Sequence, residues 1–235
     1  MSFLTWDSLY SEHADAYEIL VSHEDYLGNL PRVIETIQPL AGMVSAEFGC
    51  GTGRVSALLA GPVKRLYAFD FTEPMLRLAQ EKQFRYGWKN VSLTIADSRQ
   101  MPVRSSWADF AIEGWAFLQI AVWHPLDWQS QLSRALDEMQ RVVRPSGKMI
   151  LIETLGTGES TPAAAPVHRT VYDFLEAEYG FTPLAIRTDY CFETLEQVDQ
   201  VVVPLFGQQM RARLVETGQG WVLPECTGLW WREVP

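Results

Sequence analysis

A short apolar run over 43–48 leads directly into glycines at alternate positions, Gly49, Gly51 and Gly53, and an amphipathic stretch follows from Arg54. Glycine permits the positive φ angles of a tight turn and, having no side chain, lets backbone N–H groups come close to a ligand. A helix that starts at such a turn adds partial positive charge there. The pattern predicts a strand, a ligand-binding turn and a helix, and therefore an α/β fold.

The spacing of the glycines separates this turn from two other ligand-binding turns. A dinucleotide fingerprint, G-x-G-x-x-G counted from Gly49, would need a glycine where Arg54 stands. A phosphate-binding Walker loop needs a Gly-Lys-Ser/Thr sequence, which this turn lacks. A nicotinamide-dependent oxidoreductase therefore stays only as an alternative, and Arg54 argues against it.

Short apolar runs alternate with longer amphipathic stretches from Met43 onward, which is the rhythm of β-α-β units and a parallel sheet. With 235 residues the chain is long enough for one well-filled domain, and we expect a single domain over 1–235. Thr72 opens a predicted helix that Gly87 ends, and a further helix is predicted over 126–144. Five strands are predicted, near 43–48, 65–70, 91–96, 108–113 and 147–153.

The two ends of the chain are predicted to add to this core. Residues 1–40 contain two helical patterns and are expected to form a helical cap. Segment 155–170 has the composition of a loop, and we expect it to lie over the ligand site. The tail is predicted as a helix at 168–179, a strand at 184–192, a helix at 194–216 that Pro204 bends or breaks, and a final strand at 226–232.

The E-x-G-x-G-x-G pattern over 47–53 resembles the first motif of the class I S-adenosylmethionine-dependent methyltransferases, and the resemblance extends over most of the chain. Segment 136–148 is similar to the helix, turn and strand of the small-molecule, ubiquinone-biosynthesis-like branch (methyltransferase types 11 and 25), with Ser146 in place of one usual glycine. The resemblance implies S-adenosylmethionine as the cofactor. It also implies a Rossmann-like, seven-stranded, mostly parallel sheet of order 3-2-1-4-5-7-6, with strand 7 antiparallel and helices on both faces.

Within this resemblance, acidic residues at strand ends would bind the adenosine part of the cofactor. Asp70 ends the second strand about twenty residues after the glycine turn, where a carboxylate can accept hydrogen bonds from ribose hydroxyls. Asp97 ends the third strand and would accept from the adenine amine, with Phe71 and Met75 flanking the base. The cofactor-binding residues implied in this way are Tyr17, Glu47, Gly49, Cys50, Gly51, Gly53, Asp70, Phe71, Met75, Ala96, Asp97, Ser98, Glu113 and Trp115.

Several of these assignments are more specific or leave alternatives open. Glu47 would either contact the cofactor's ammonium group or shape the glycine turn through hydrogen bonds. Tyr17 is a candidate contact for the methionine carboxylate, in an N-terminal segment with Tyr10 that would close over the cofactor. Trp115 directly follows the fourth strand and is expected to face ligand, whereas Trp107 precedes that strand, at the wrong end of the sheet. Other aromatic residues that could line an acceptor pocket are Trp6, Phe117, Trp123 and Trp128.

No sequence context specifies a general base. Transfer from an activated sulfonium depends chiefly on holding acceptor, methyl and sulfur in line, so a catalytic side chain is not strictly needed. His124 and His23 are the candidates, because an imidazole titrates near neutral pH. The N/D-P-P-Y signature of amino-group methylation is absent after the fourth strand, which weighs against DNA-adenine or glutamine methylation. Methyl transfer to oxygen, nitrogen or carbon of a small molecule is the leading hypothesis, and a non-catalytic, cofactor-binding scaffold is kept as an alternative.

Composition limits the partners. The formal charge of −10 disfavours nucleic acid, whose phosphates would be repelled. The cysteines are too scattered to indicate a metal site or a disulfide framework, and Cys50 is interpreted as a structural thiol. The chain has neither a basic start with an apolar run nor a window of about 18 apolar residues, so we expect a cytoplasmic protein that does not enter a membrane. We expect a small-molecule partner and a monomer or homodimer.

Overall fold

A mostly parallel sheet of seven strands forms the centre of the computed structural model, which describes residues 14–235. Its strands are β1 Val44–Phe48, β2 Arg65–Asp70, β3 Val91–Ile95, β4 Ala108–Gly114, β5 Val143–Thr157, β6 Thr182–Arg187 and β10 Glu225–Glu233. They lie in the order β3-β2-β1-β4-β5-β10-β6. Strands β1 to β5 pair in parallel, and β10 runs antiparallel to both of its neighbours. The predicted order and its antiparallel seventh strand are confirmed, with β10 as that strand.

Helices cover both faces of the sheet, as predicted. They are α1 Ala14–Ser22, α2 Asn29–Ile37, α3 Arg54–Leu59, α4 Glu73–Tyr86, α5 Phe117–Trp123, α6 Trp128–Val142, α7 Pro166–Tyr179 and α8 Leu195–Phe206. Apolar side chains of α2, α3 and α4 pack with Leu66 and Ile112 on one face. Those of α5, α6 and α7 pack with Phe48 and Ala111 on the other. Burial on both faces explains why the strands read as nearly continuous apolar runs.

A second, smaller sheet was not predicted. It contains β7 Tyr190–Phe192, β8 Val215–Thr217 and β9 Gly220–Leu223 in the antiparallel order β7-β9-β8. The single strand predicted over 184–192 is therefore wrong, because it divides between β6 in the large sheet and β7 in the small one. Asp189 lies at the division, where its Oδ1 accepts from Arg187 Nε at 2.8 Å and from the Glu225 N–H at 2.9 Å.

The helix predicted over 194–216 is also shorter than expected. A capping box between Thr194 and Gln197 starts α8, and Gly207, with a φ of 90°, follows its end. Pro204 lies inside the helix and does not end it. A 3-10 helix over Gln208–Arg213 and strand β8 occupy the remainder of the predicted segment.

The connection from α6 to β5 differs from the prediction by a few residues. The helix predicted over 126–144 ends at Val142, and β5 begins at once at Val143. Ser146 adopts a φ of 62°, a left-handed conformation that glycine takes more easily. A Cβ on Gly147 would lie 2.5 Å from the carbonyl oxygen of Asp109, so glycine is required beside β4.

The first helices only partly test the predicted N-terminal cap. Helix α1 packs against α4 and α8, and α2 lies against β6. Trp6 and Tyr10 lie outside the described residues. Within 14–235, every helix is too short or too polar to cross a bilayer. The same residues contain no grouping of three or more His, Cys, Asp or Glu side chains suited to hold a metal ion.

Candidate active site

A cavity of about 270 Å³ opens at the carboxyl ends of strands β1 to β4. This is the edge of an open parallel sheet at which ligands bind. Each strand contributes the residues at or just after its end, namely 49–52, 70–72, 97–99 and 114–117. Helix α5 and Tyr17 of α1 complete the walls. The topology thus gathers most of the predicted cofactor-binding residues around one space.

The glycine turn forms the floor of this cavity. Gly49, Gly51 and Gly53 have φ angles of 66°, 52° and 82°, which side-chain-bearing residues rarely adopt. A Cβ on Gly49 would lie 2.4 Å from the Cβ of Ala116, so the turn packs tightly against the end of β4. A Cβ on Gly51 would meet no atom within 4 Å, and Gly51 lines the cavity. The turn therefore leaves an open space at Gly51, here named the cradle, that a side chain would fill.

Asp70 joins the glycine turn to the start of α4. Its Oδ2 accepts the N–H of Gly51 at 2.8 Å, and its Oδ1 accepts the N–H of Thr72 at 2.7 Å. Burial raises the pKa of Asp70, and these two N–H groups act in the opposite direction. A carboxylate has about four lone-pair sites, so Asp70 can accept a further donor beside these. The carboxylate lines the cavity and is placed to accept from a ligand diol.

Thr52 and Glu47 lie beside the cradle. The Thr52 hydroxyl is buried and has no hydrogen-bond partner among the residues that the structure describes. Glu47 lines the cavity and accepts from the Ser56 hydroxyl at 2.5 Å. Burial raises the pKa of Glu47 to about 8, against the effect of the Ser56 hydrogen bonds. Glu47 therefore holds the first turn of α3, and the orphaned Thr52 hydroxyl fits a polar ligand group.

Arg99 forms a bidentate ion pair with Asp97, just after the end of β3. Its Nε donates to Asp97 Oδ1 at 2.9 Å and its Nη2 to Oδ2 at 2.7 Å. These bonds hold the pKa of Asp97 below its ordinary value. The Nη1 of the same guanidinium lies 3.1 Å from His124 Nε2 and donates to Gln131 Oε1 at 2.9 Å. Asp97 thus remains an ionised acceptor, as recognition of an exocyclic amine requires.

Neither candidate histidine is placed as a general base. His124 lines the cavity, but at its β3 end, and its Nε2 faces the permanent cation of Arg99. His23 does not line the cavity, because its Nδ1 lies 3.0 Å from the carbonyl oxygen of Cys191 and its ring lies 4.6 Å from that of Phe192. The assignment of His23 as a base is therefore corrected to a contact with the small sheet.

An aromatic pair lines the cavity at its β3 end. The rings of Phe71 and Trp123 meet edge to face at 5.5 Å. Phe71 is 58% exposed although it is apolar, whereas Met75 beside it is buried. Phe71, Met75 and Ser98 all line the cavity, as the predicted adenine contacts require. Trp123, considered for an acceptor pocket, lies instead beside Phe71.

Trp115 and Arg54 form the wall opposite the β3 end. Trp115 has a φ of 57°, a costly conformation of the kind that occurs at functional sites. The Arg54 guanidinium lies 3.3 Å above the centre of its ring and forms an ion pair of 2.5 Å with Glu24. Trp115 lines the cavity, and its contact with a ligand stays a prediction. Trp107 packs edge to face on Tyr67 and does not line it.

Three predicted cofactor residues do not line the cavity. Gly53 precedes α3, where a Cβ would lie 3.4 Å from Trp88. The Ala96 N–H donates to the carbonyl oxygen of Asp70 at 2.9 Å. Glu113 is fully buried and accepts two N–H groups at the start of α5, at 3.0 and 3.3 Å. All three residues support the elements that line the cavity, and none of them faces its open space.

A second cavity of about 180 Å³ adjoins the first and shares Tyr17, Arg54, Trp115 and Gln119 with it. Of the segment 155–170, only Thr157 and His168 line the second cavity, and none lines the first. Residues 158–165 form the only loop there, and the Gly158 N–H donates to the carbonyl oxygen of Pro224 at 2.7 Å. The expected loop over the site is therefore wrong in extent and place.

Several lining residues were missed from the sequence, among them Thr52, Arg99 and Gln119. Thr52 stands inside the glycine turn, so its place was within reach of the pattern. Arg99 follows Asp97 by two residues, a spacing that allows a local ion pair. Gln119 carried no signal, because helix α5 itself was not predicted.

Comparison with known proteins agrees with this geometry. A family described as a methyltransferase domain matches residues 46–151, from β1 into β5. A demethylmenaquinone methyltransferase of Anoxybacillus flavithermus is 24% identical over 147 residues, which cover 61% of this chain and 58% of that enzyme. The enzyme of the same name from Staphylococcus aureus is 26% identical over 190 residues, covering 80% and 73%. The match thus spans about three fifths of the first of these relatives.

A solved structure of a SAM-dependent methyltransferase from Aquifex aeolicus is similar with a TM-score of 0.56 and 19% identity. The similarity covers 92% of this chain and 97% of that one, and at this identity it shows a shared fold. In its domain match, its curated relatives and its strand order this chain is thus similar to the class I S-adenosylmethionine-dependent methyltransferases.

Proposed function

We propose that this chain transfers a methyl group from S-adenosylmethionine to a small-molecule acceptor by in-line displacement. The observation that carries the proposal is a pair of adjoining cavities that share lining residues. The open cradle at Gly51 and the carboxylate of Asp70 line the first cavity, and Trp115 and Gln119 also line the second cavity beside it. A donor and an acceptor can thus be bound side by side.

The residues present fit the donor. Asp70 would accept from the ribose hydroxyls, and Asp97, held ionised by Arg99, would accept from the adenine amine. The buried, orphaned hydroxyl of Thr52 and the cradle at Gly51 would receive the methionine part. When bound, S-adenosylmethionine supplies a methyl group already activated by its sulfonium.

The contribution of this chain is chiefly position and exclusion of water. Arg54 is fixed by Glu24 and lies over Trp115, so the wall between the two cavities is held in one arrangement. Alignment of two reactants in this way can supply about 7–11 kcal/mol in favourable cases. A general base is not required by this scheme, and neither His23 nor His124 is placed to act as one.

Other properties support a small acceptor. The formal charge of −10 opposes binding of a polyanion. The second cavity, at about 180 Å³, suits a compact molecule or part of a larger one. Demethylmenaquinone, on which the curated relatives act by name, is one acceptor to be tried. Cytoplasmic location and the monomer or homodimer state stay predictions.

Calorimetric titration with S-adenosylhomocysteine and with NAD tests the cofactor. Binding of the first alone is expected, since Arg54 stands where a dinucleotide turn has glycine. Binding of NAD alone would favour an oxidoreductase. Incubation with methyl-labelled donor and a metabolite extract then separates catalysis from a binding scaffold, because a scaffold binds the donor and transfers no label.

A further inference from the structure

The second cavity contains hydrogen-bond acceptors that lack donors. Glu225, at the first position of β10, is 2% exposed and lines this cavity. Its Oε1 accepts from the Thr154 hydroxyl at 2.8 Å, while its buried Oε2 has no hydrogen-bond partner within 14–235. The buried Oε1 of Gln119, in the wall shared by both cavities, also has no partner among these residues. A buried polar atom without a partner destabilises the fold, so a ligand that supplies donors is favoured.

The ionisable side chains around this cavity also favour a ligand group that donates hydrogen bonds or carries positive charge. Glu153, 3% exposed, lines it and accepts the Leu118 N–H at 2.7 Å. Among the lining residues that the structure describes, Arg54 is the only Lys or Arg, and Glu24 already pairs with it at 2.5 Å. Burial raises the pKa of Glu225 to about 8, with the nearby Glu24 adding to the shift, so that a positively charged ligand group would be needed to favour its ionised form. The carboxyl groups of Glu153 and Glu225 thus line a cavity whose described guanidinium is already paired with Glu24.

We infer that the second cavity is the acceptor site and that it takes a compact molecule carrying an amino group, whose N–H bonds donate to Glu225 and Gln119. This inference rests on the proposed function. A carbonyl or ether oxygen supplies no donor to either of these oxygens, whereas an amine supplies the missing donors and, when protonated, a compensating charge. Leu20, Leu118 and Trp115 leave an apolar wall for the remainder of the molecule.

The test is a calorimetric titration of the chain saturated with S-adenosylhomocysteine. The probes are benzylamine and 2-phenylethylamine, each compared with its neutral isostere, benzyl alcohol and 2-phenylethanol. We expect each amine to bind at least about tenfold more tightly than its alcohol, the scale of one hydrogen bond to a charged group. Equal affinity for the two, or preference for the alcohol, would overturn the inference.

Variants assign the preference to a residue. Glu225→Gln is expected to remove it, whereas Glu216→Gln, on the exposed strand β8, is expected to retain it. A preference that survives in Glu225→Gln overturns the role of Glu225. The comparison in the unaltered chain needs no variant and so decides the matter even if Glu225→Gln fails to fold. Failure of the proposed function is seen separately, as absence of S-adenosylhomocysteine binding.

Discussion

The guanidinium of Arg54 lies 3.3 Å above the indole ring of Trp115 while Glu24 holds it from another side at 2.5 Å. This contact joins the first residue of α3, the end of β4 and the segment after α1. Side-chain exposure is 15% for Arg54 and 2% for Glu24, so little water screens the pair. The residue that sets this glycine turn apart from a dinucleotide turn thus has a structural task.

Arg54→Met is expected to destabilise the fold by about 3–5 kcal/mol, because it leaves Glu24 buried without its partner. Urea unfolding measures the change. The matched control is Arg169→Met, whose ion pair with Asp173 is exposed and is expected to contribute less than about 1 kcal/mol. Equal effects of the two substitutions would show that the Arg54 pair is not a structural anchor.

Gly51→Val is expected to abolish binding of S-adenosylhomocysteine. Its side chain would stand in the open cradle, at a backbone φ of 52°. Gly42→Val is the control, since Gly42 has a φ of 78° and equally open surroundings but does not line the cavity. We expect both variants to melt at lower temperature and only Gly51→Val to lose binding in calorimetry. Normal binding by Gly51→Val would place the ligand elsewhere.

Asp70→Ala is expected to weaken binding of S-adenosylhomocysteine by about 1–3 kcal/mol, the loss of hydrogen bonds to a charged group. The Gly51 N–H also loses its acceptor, which loosens the cradle. Asp173→Ala, exposed on α7, controls for removal of one negative charge. An unchanged dissociation constant for Asp70→Ala in calorimetry rejects the ribose role.

Stability is expected to fall as the pH rises from about 5 to about 9. Burial raises the pKa of Glu113 to about 8 and that of Glu153 well above 4.5, with Glu113 adding to the shift of Glu153. Such groups bind their protons more tightly when folded, so their stabilising effect is full below the unfolded pKa near 4.5 and is lost as the pH passes the folded value.

Urea unfolding across this range, repeated with Glu153→Gln, measures the effect, since an amide stays neutral and flattens the curve. Glu138→Gln serves as control, because Arg141 lowers the pKa of Glu138 and its titration lies below this range. A slope that Glu153→Gln leaves unaltered would contradict the assignment to this pair.

The sequence predicts the large sheet well because the motifs that specify its strand ends are local in sequence. Alternate glycines at Gly49, Gly51 and Gly53 and an acid at Asp70 specify two strand ends, and the parallel topology places them together. The partition of 184–192 between two sheets depends on Asp189 contacting Glu225 across 36 positions, which no local pattern contains. The candidate site divides in the same way.

Asp97 was found as a strand-end acid, but its contact through Arg99 with His124 joins β3 to the end of α5. The second cavity is harder still to foresee. Glu225 and Gln119 are far apart in sequence, and they line one cavity only because β10 inserts next to β5.

The attachment of α5 restricts how the protein can select its acceptor. Glu113 accepts two N–H groups at the start of this helix, and Glu153 accepts a third, from Leu118. Outward rotation of α5 would remove these three donors from two buried acids. We therefore expect ligands to enter and leave without rotation of α5, and we expect acceptors too wide for the space between α5 and the sheet to be rejected by shape.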